Sequence, residues 1–296
     1  MTDNVNNKQE ILEKYREAGR ILKIVRAEAV EMVRVGNSLL KVAEFVEIRT
    51  IDLGGRPAFP CNISRNDEAA HATPKAGGSD VFEKDMVKLD LGVHVDGYIA
   101  DSAVTVDLSG NPDILKAAEE ALAAAIDLAR PGITTGKIGA AIEDSIRSYG
   151  LNPIMNLTGH GLSQYEAHDE PPVPNKHVEG GVILREGDVF AIEPFATDEA
   201  GFIHDGSWAE IYSLIRKKPV RMPAVRNVLK QVEEYRALPF AKRWLESDKL
   251  EFALIQLERA GILHSYPVLL ESAGGLVAQA EHTIIITQDG CEVTTK

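Results

Sequence analysis

Apolar and polar positions follow two different periods along this chain, and the places where the period changes mark out its elements. From about Gln9 to Val35, the apolar residues Ile11, Tyr15, Ala18, Ile21, Leu22, Val25 and Ala29 recur at helical spacing, which predicts an amphipathic helix stopped by Gly36. A turn-rich stretch through Gly54, Gly55, Pro57 and Pro60 follows. Between Met86 and Val106 the pattern becomes strand-like, in two runs, MVKLDLGVHV and YIADSAVTV, separated by Asp96-Gly97. An Asp-Gly linker between two such runs predicts a hairpin with a two-residue turn. Helical spacing returns over roughly Asp113 to Ala129, closed by Pro131-Gly132, and over Thr134 to Tyr149, closed by Gly150. Strand-rich sequence then runs from Val189 to Leu214, basic and helical sequence from about Ala224 to Ala260, and a last strand lies at HTIIIT. This order predicts an α+β fold, with helices packed on a curved antiparallel sheet.

Two of the strands echo each other. Asp85-Met-Val-Lys-Leu-Asp90 and Asp188-Val-Phe-Ala-Ile-Glu193 each place a carboxylate five residues after an Asp that opens an apolar run. An internal duplication and chance both account for so short a match. The 296 residues, 44% of them hydrophobic, suffice for one large domain or two ordinary ones. Acidic residues outnumber Lys and Arg by 45 to 32, so DNA, RNA and anionic membranes are poor candidates for the main partner. The opening MTDNVNNKQE has no apolar segment of the export type, and no later run approaches the roughly 20 residues that span a bilayer. A cytoplasmic protein is expected, and Cys61 and Cys291, without ligand-like spacing, read as reduced thiols.

The hairpin register carries the first chemical signal. With Asp96 and Gly97 as the turn, Val95 faces Tyr98, Gly92 faces Asp101 and Leu91 faces Ser102, so Asp90 and Asp101 are diagonal neighbours on one face. A lone Asp in a hairpin is ordinarily a solvated surface residue. Two adjacent anions on a partly apolar face repel each other, so one must be protonated unless a cation lies between them. Gly92 would leave room for that ion. His160 in Leu-Thr-Gly-His-Gly-Leu, Glu193 in Phe-Ala-Ile-Glu-Pro-Phe and Glu281 in Ala-Gln-Ala-Glu-His-Thr-Ile also stand in settings unusual for surface residues, with no Arg or Lys equally placed to pair with them. Asp90, Asp101, Glu193 and Glu281 together balance two divalent ions, and His160 adds a neutral nitrogen donor. Such a donor set favours Mn, Fe or Co and leaves Zn possible.

At these residues the chain resembles the methionine aminopeptidases, whose ligands follow the order Asp, Asp, His, Glu, Glu. The blocks Lys-Leu-Asp-Leu-Gly, Asp-Gly-Tyr-Ile-Ala-Asp-Ser-Ala-Val-Thr, Gly-His-Gly-Leu, Ile-Glu-Pro-Phe and Ala-Glu-His-Thr carry the likeness from the first helix to the last strand. The segments Leu-Pro-Phe-Ala-Lys-Arg-Trp-Leu and Ser-Tyr-Pro-Val-Leu look like the helical insert of the type II class, in its short archaeal form. The resemblance implies a pita-bread fold with pseudo-twofold halves, a single catalytic domain over 1–296 and a helical insert over 215–270.

The resemblance also implies two divalent ions, bridged by Asp101 and Glu281, with Asp90 on one and His160 and Glu193 on the other. Glu193 would take the proton of the attacking water, His168 would face the oxyanion and His71 the scissile amide. Phe59, His204 and Tyr266 stand at positions similar to the walls of the methionine pocket. Without the resemblance, Phe59 and Tyr266 would read as core aromatics, His204 as a loop residue, and His71 and His168 as capping or core histidines. His94, His177, His264 and His282 read as structural or surface residues. The expected partners are nascent polypeptide N-termini met by a monomer, with a transient ribosome contact possible through the basic run Arg216 to Arg221, although such a run is more often a solvated loop. The competing readings are a proline-specific peptidase with the same ligand set and a non-enzymatic scaffold of the same fold.

Overall fold

Asp96 and Gly97 both have positive φ, 51° and 88°, as a two-residue turn matched to the twist of a hairpin requires. On either side, strands Met86–Val95 and Tyr98–Asp107 pair with Val95 opposite Tyr98, Gly92 opposite Asp101 and Leu91 opposite Ser102, the register the sequence predicts. The structure is a computed structural model that describes residues 2–296, with side-chain surroundings from residue 8 onward. One hairpin face is apolar: Leu89, Leu91 and Val93 join Ile21, Leu22, Val25, Val42 and Val46 in a buried cluster. Alternation leaves Asp90 and Gly92 on the other face.

Those partners come from two helices, α1 (Thr2–Val30) and α2 (Leu39–Asp52). The first ends earlier than Gly36 because the chain has already turned there, and the Gly36 N–H donates to Phe82 O at 2.8 Å. The periodicity reading passed over α2, although Ser38 caps it by accepting from Lys41 N at 3.4 Å, and Leu39, Val42, Ala43 and Val46 form its buried stripe.

The second half repeats the plan. Helices α3 (Pro112–Leu128) and α4 (Thr135–Ser148) cover strands Val189–Ile192 and His282–Ile286, burying Ile114, Ala121, Ile138, Ile142, Phe190, Ile192 and Ile284 together. Strand Thr158–Ser163 lies beside Val189–Ile192, with His160 opposite Ala191. The sequence echo now has a structural counterpart. Asp85 O accepts from Leu108 N at 2.8 Å where the first strand pair begins, and Asp188 O accepts from Ile286 N at 2.9 Å where the second begins.

The halves meet along a seam built by hydroxyl groups. Thr283 Oγ1 accepts from Asp101 N at 2.7 Å and donates to Asp101 O at 2.9 Å. Thr105 Oγ1 makes the same two-way contact with the backbone of Gln279, and Ser102 Oγ donates to Glu281 O at 2.7 Å. With one backbone bond, Glu281 N donating to Ala103 O at 3.0 Å, these side chains hold two remote strands side by side.

Strands Ile203–Leu214 and Leu263–Glu271 form a further antiparallel pair, joined on one edge by Phe240–Ala241 and on the other by Glu68–Ala70. The helical reading of 224–260 needs correction: two ten-residue helices, α5 (Pro223–Val232) and α6 (Leu250–Arg259), flank an irregular connection. Pro239 cannot supply a helical N–H, Arg236 has φ 59°, and Phe240–Ala241 is drawn into pairing with Ile211–Tyr212. The Ser-Tyr-Pro-Val-Leu stretch is strand, so the helical part of the 215–270 segment ends at Arg259. No helix among the described residues is long and apolar enough to cross a membrane.

Candidate metal centre and substrate cavity

The hairpin delivers Asp90 and Asp101 to one cavity of about 430 Å³, and the second half delivers His160, Glu193 and Glu281 to the same place. Ligand-type atoms of Asp101, His160 and Glu281 all lie within 4.8 Å of one another. His160 Nε2 is 3.9 Å from Asp101 Oδ2 and 3.5 Å from Glu193 Oε1. Burial, and then the neighbouring His168, push the His160 imidazole down to about 3, so it presents a neutral ring with a free lone pair. Burial raises all four carboxyl groups above their ordinary range, and repulsion by neighbouring carboxylates adds to that rise for Asp101 (from Asp90 and Glu193), Glu193 (from Asp90) and Glu281 (from Asp101, Glu193 and Asp90).

The cluster has the marks of a cation site. Asp90 Oδ1 and Asp101 Oδ1 are buried without a hydrogen-bond partner among the described residues. The sequence suggested no nearby cation, yet Arg26 of α1 does approach, donating to Ser102 Oγ and to Thr295 O, and its charge favours ionised Glu281. One guanidinium does not neutralise four buried carboxylates. Divalent ions would, and an oxygen-rich set with one imidazole suits them.

Neighbours unread in the sequence complete the floor. Asn62 lies opposite Asp90 in the sheet and lines the cavity. Gln279 Nε2 reaches Glu193 Oε2 and Glu281 Oε2, each at 3.4 Å, and so orients both. Gly92 differs from its expected use: a Cβ there would lie 2.2 Å from Phe59 Cε1, so the space opposite Asp101 is filled by the Phe59 ring rather than left for an ion.

The walls carry His71, His168, Phe59 and Tyr266 of the remaining predicted residues. His71, at φ 63°, stands edge-on to Tyr266 with ring centroids 5.4 Å apart, and burial pushes its imidazole down to about 4. His168 lines the cavity with its ring 4.7 Å from that of His160; the residue is exposed, and desolvation by the surrounding protein lowers its pKa. Phe59 and Tyr266 line the cavity.

His204 does not. It is exposed on strand Ile203–Leu214 opposite Leu270, and register shifts between Asp205 and Ile211 change which residues face inward, so Ile211 takes the cavity position. His264, read from sequence as structural or surface, lines the cavity beside Tyr266, with ring centroids 4.7 Å apart. Its place two residues before Tyr266 on one strand was the available signal.

Buried carboxylates and a neutral imidazole, held between two helix-covered halves, define a metallopeptidase type of centre. The chain belongs to metallopeptidase family M24, whose pattern matches residues 13–288. Within that family it is 53% identical to the methionine aminopeptidase of Archaeoglobus fulgidus, over 97% of this chain and 99% of that one. The methionine aminopeptidase of Methanocaldococcus jannaschii is 49% identical over 96% of this chain and 98% of its own. Among solved structures, the methionine aminopeptidase from Thermotoga maritima superposes with a TM-score of 0.72 at 24% identity, covering 97% of both chains, which shows the shared pita-bread fold.

Proposed function

We propose that this chain removes the initiator methionine from nascent proteins by metal-assisted hydrolysis of the first peptide bond. The observation that carries the reading is the convergence of Asp90, Asp101, His160, Glu193 and Glu281 on one cavity with histidines and apolar side chains in its walls, together with near-full-length likeness to methionine aminopeptidases.

Asp90, Asp101, His160, Glu193 and Glu281 would hold two divalent ions, Mn, Fe or Co best matching the donor set, with Zn admissible. The chemistry such ions supply when bound is activation of water near neutral pH and polarisation of a carbonyl. Glu193 takes the proton of the attacking water at a carboxylate oxygen and delivers it to the departing amine. His168 donates to the oxygen that gains charge as the carbonyl carbon becomes tetrahedral, and His71 holds the scissile amide. Phe59, Ile211, Tyr266 and Leu269 supply apolar walls for an unbranched side chain, and all four line the cavity. The enzyme acts as a monomer in the cytosol. Ribosome contact through the basic run has little support, since Arg216 and Lys218 donate to the carbonyls of Gly261 and Ala260 just past the end of α6.

The test is release of free methionine from Met-Ala-Ser by apoprotein titrated with Mn, Co, Fe and Zn, beside Asp101→Ala. Activity that rises with metal and is lost in the variant supports the reading. Hydrolysis of Xaa-Pro dipeptides in preference would transfer the chain to the proline-specific peptidases, and folded protein inert with every ion would leave a binding scaffold.

A further inference from the structure

We propose that Arg243, in the connection between α5 and α6, is a positioning residue that holds His71 in the cavity. The proposal rests on the aminopeptidase reading only for the role of His71. Arg243 belongs to the Lys-Arg-Trp motif of the insert, and it does not line the cavity.

His71 has φ 63°, a backbone region that residues with a Cβ avoid unless their surroundings over-determine it. Strand pairing of Ala70 with Leu269 holds the chain before His71, and a set of side-chain and backbone contacts holds the chain after it. Ile63 N donates to Ala72 O at 2.7 Å, and Thr73 Oγ1 donates to Cys61 O at 2.7 Å. Arg243 Nη1 then donates to Thr73 Oγ1 at 2.8 Å and to Pro74 O at 3.1 Å. Its other arm is anchored: Arg243 Nη2 donates to Glu47 Oε1 from α2, and Glu47 Oε2 also accepts from Trp244 Nε1 at 2.9 Å. The pair is enclosed, with side-chain exposures of 5% for Arg243 and 12% for Glu47.

One planar guanidinium thus ties the insert, α2 and the loop that follows His71. A fork of fixed N–H directions does this in a way a flexible ammonium does not. Cys61 and Ile63, the loop's other anchors, flank Asn62 opposite Asp90, so the same clamp fixes the spacing between His71 and the metal side of the cavity. Displacement of a substrate-facing group by about 1 Å is enough to slow an enzyme roughly a hundredfold.

The experiment is a double-mutant cycle on metal-loaded enzyme with Met-Ala-Ser: His71→Ala, Arg243→Lys and the two together. Arg243→Lys keeps a cation beside Glu47 and loses the fork. In the parental background we expect kcat to fall about tenfold or more, with KM and bound metal near their parental values. In the His71→Ala background the same substitution should change kcat less than about twofold. Losses that simply multiply would overturn the proposal.

A readout without turnover runs beside it, the ring C–H resonance of His71 in NMR spectra, identified by its absence in His71→Ala. It should shift in Arg243→Lys while the exposed His177 signal stays in place, and an unmoved His71 signal overturns the proposal. Should Arg243→Lys fail to fold, Glu47→Gln loosens the ion pair that anchors the guanidinium, leaves Thr73 bonded to Cys61 O, and enters the same cycle. If the parental enzyme releases no methionine, the function reading fails, and the resonance shift still decides the role of Arg243.

Discussion

Gly92 shows how much one hydrogen in place of a methyl can decide. Its Cα lies against the Phe59 ring, and a Cβ there would meet ring atoms at 2.2 to 2.8 Å. Gly92→Ala should push Phe59 into the cavity, raise KM for methionyl peptides roughly tenfold and cost about 1–3 kcal/mol of stability, with metal retained. Steady-state kinetics beside metal analysis checks this, and unchanged KM would refute the packing argument. His94, on the same strand, accepts from Gly97 N at 3.0 Å. Burial, with help from Arg56 and Arg236, pushes its pKa from 6.5 to about 4. The unfolded chain therefore binds more protons between those values, and stability present above about pH 6.5 is lost as pH falls toward 4. His94→Gln, which keeps an acceptor for Gly97, should lose about 1–3 kcal/mol less than the parent between pH 7 and pH 4.5. Parallel stability curves from denaturant melts at the two pH values would count against it.

Among the elements, the hairpin was readable because a two-residue turn sets every cross-strand pair by counting. The helices α1, α3 and α4 were readable because a buried stripe repeats every three or four residues. The seam between the halves was not. Ser102, Thr105 and Thr283 look like ordinary strand residues, and their partners lie up to 182 residues away. Thr283→Val keeps the shape and leaves Asp101 N and O without that partner, so it should destabilise by about 1–3 kcal/mol and loosen the backbone that carries Asp101. A denaturation midpoint and metal affinity equal to the parent's would show the seam to be dispensable. The insert was legible as helical only in part, since tertiary pairing drew Phe240–Ala241 and Leu263–Glu271 into strands.

For the whole molecule, four buried carboxylates at the meeting point of two halves make metal and stability one question. Removal of divalent ions with a chelator should lower the melting temperature, and restored Mn or Co should raise it again. The gain expected is about 2.7 kcal/mol at a hundredfold excess over Kd. A melting temperature indifferent to metal would mean that the carboxylates are held neutral instead. Asp101→Ala, which removes one of the anions, should show a smaller response in the same measurement.

Local rules sufficed for Asp90 and Asp101: alternation puts them on one face, and the turn between them sets their distance. His160, Glu193 and Glu281 were legible as oddities, polar groups in apolar or glycine-rich runs that needed some partner. Which face a remote strand turns inward is a different matter, because it depends on pairing and on bulges between segments far apart in the chain. That is why His204 proved exposed while Ile211 and His264 reached the cavity. It is also why Gln279 and Arg243 became visible only once the chain was folded: their partners on Glu193, Thr73 and Glu47 lie 86 to 196 residues away, and no local period encodes them.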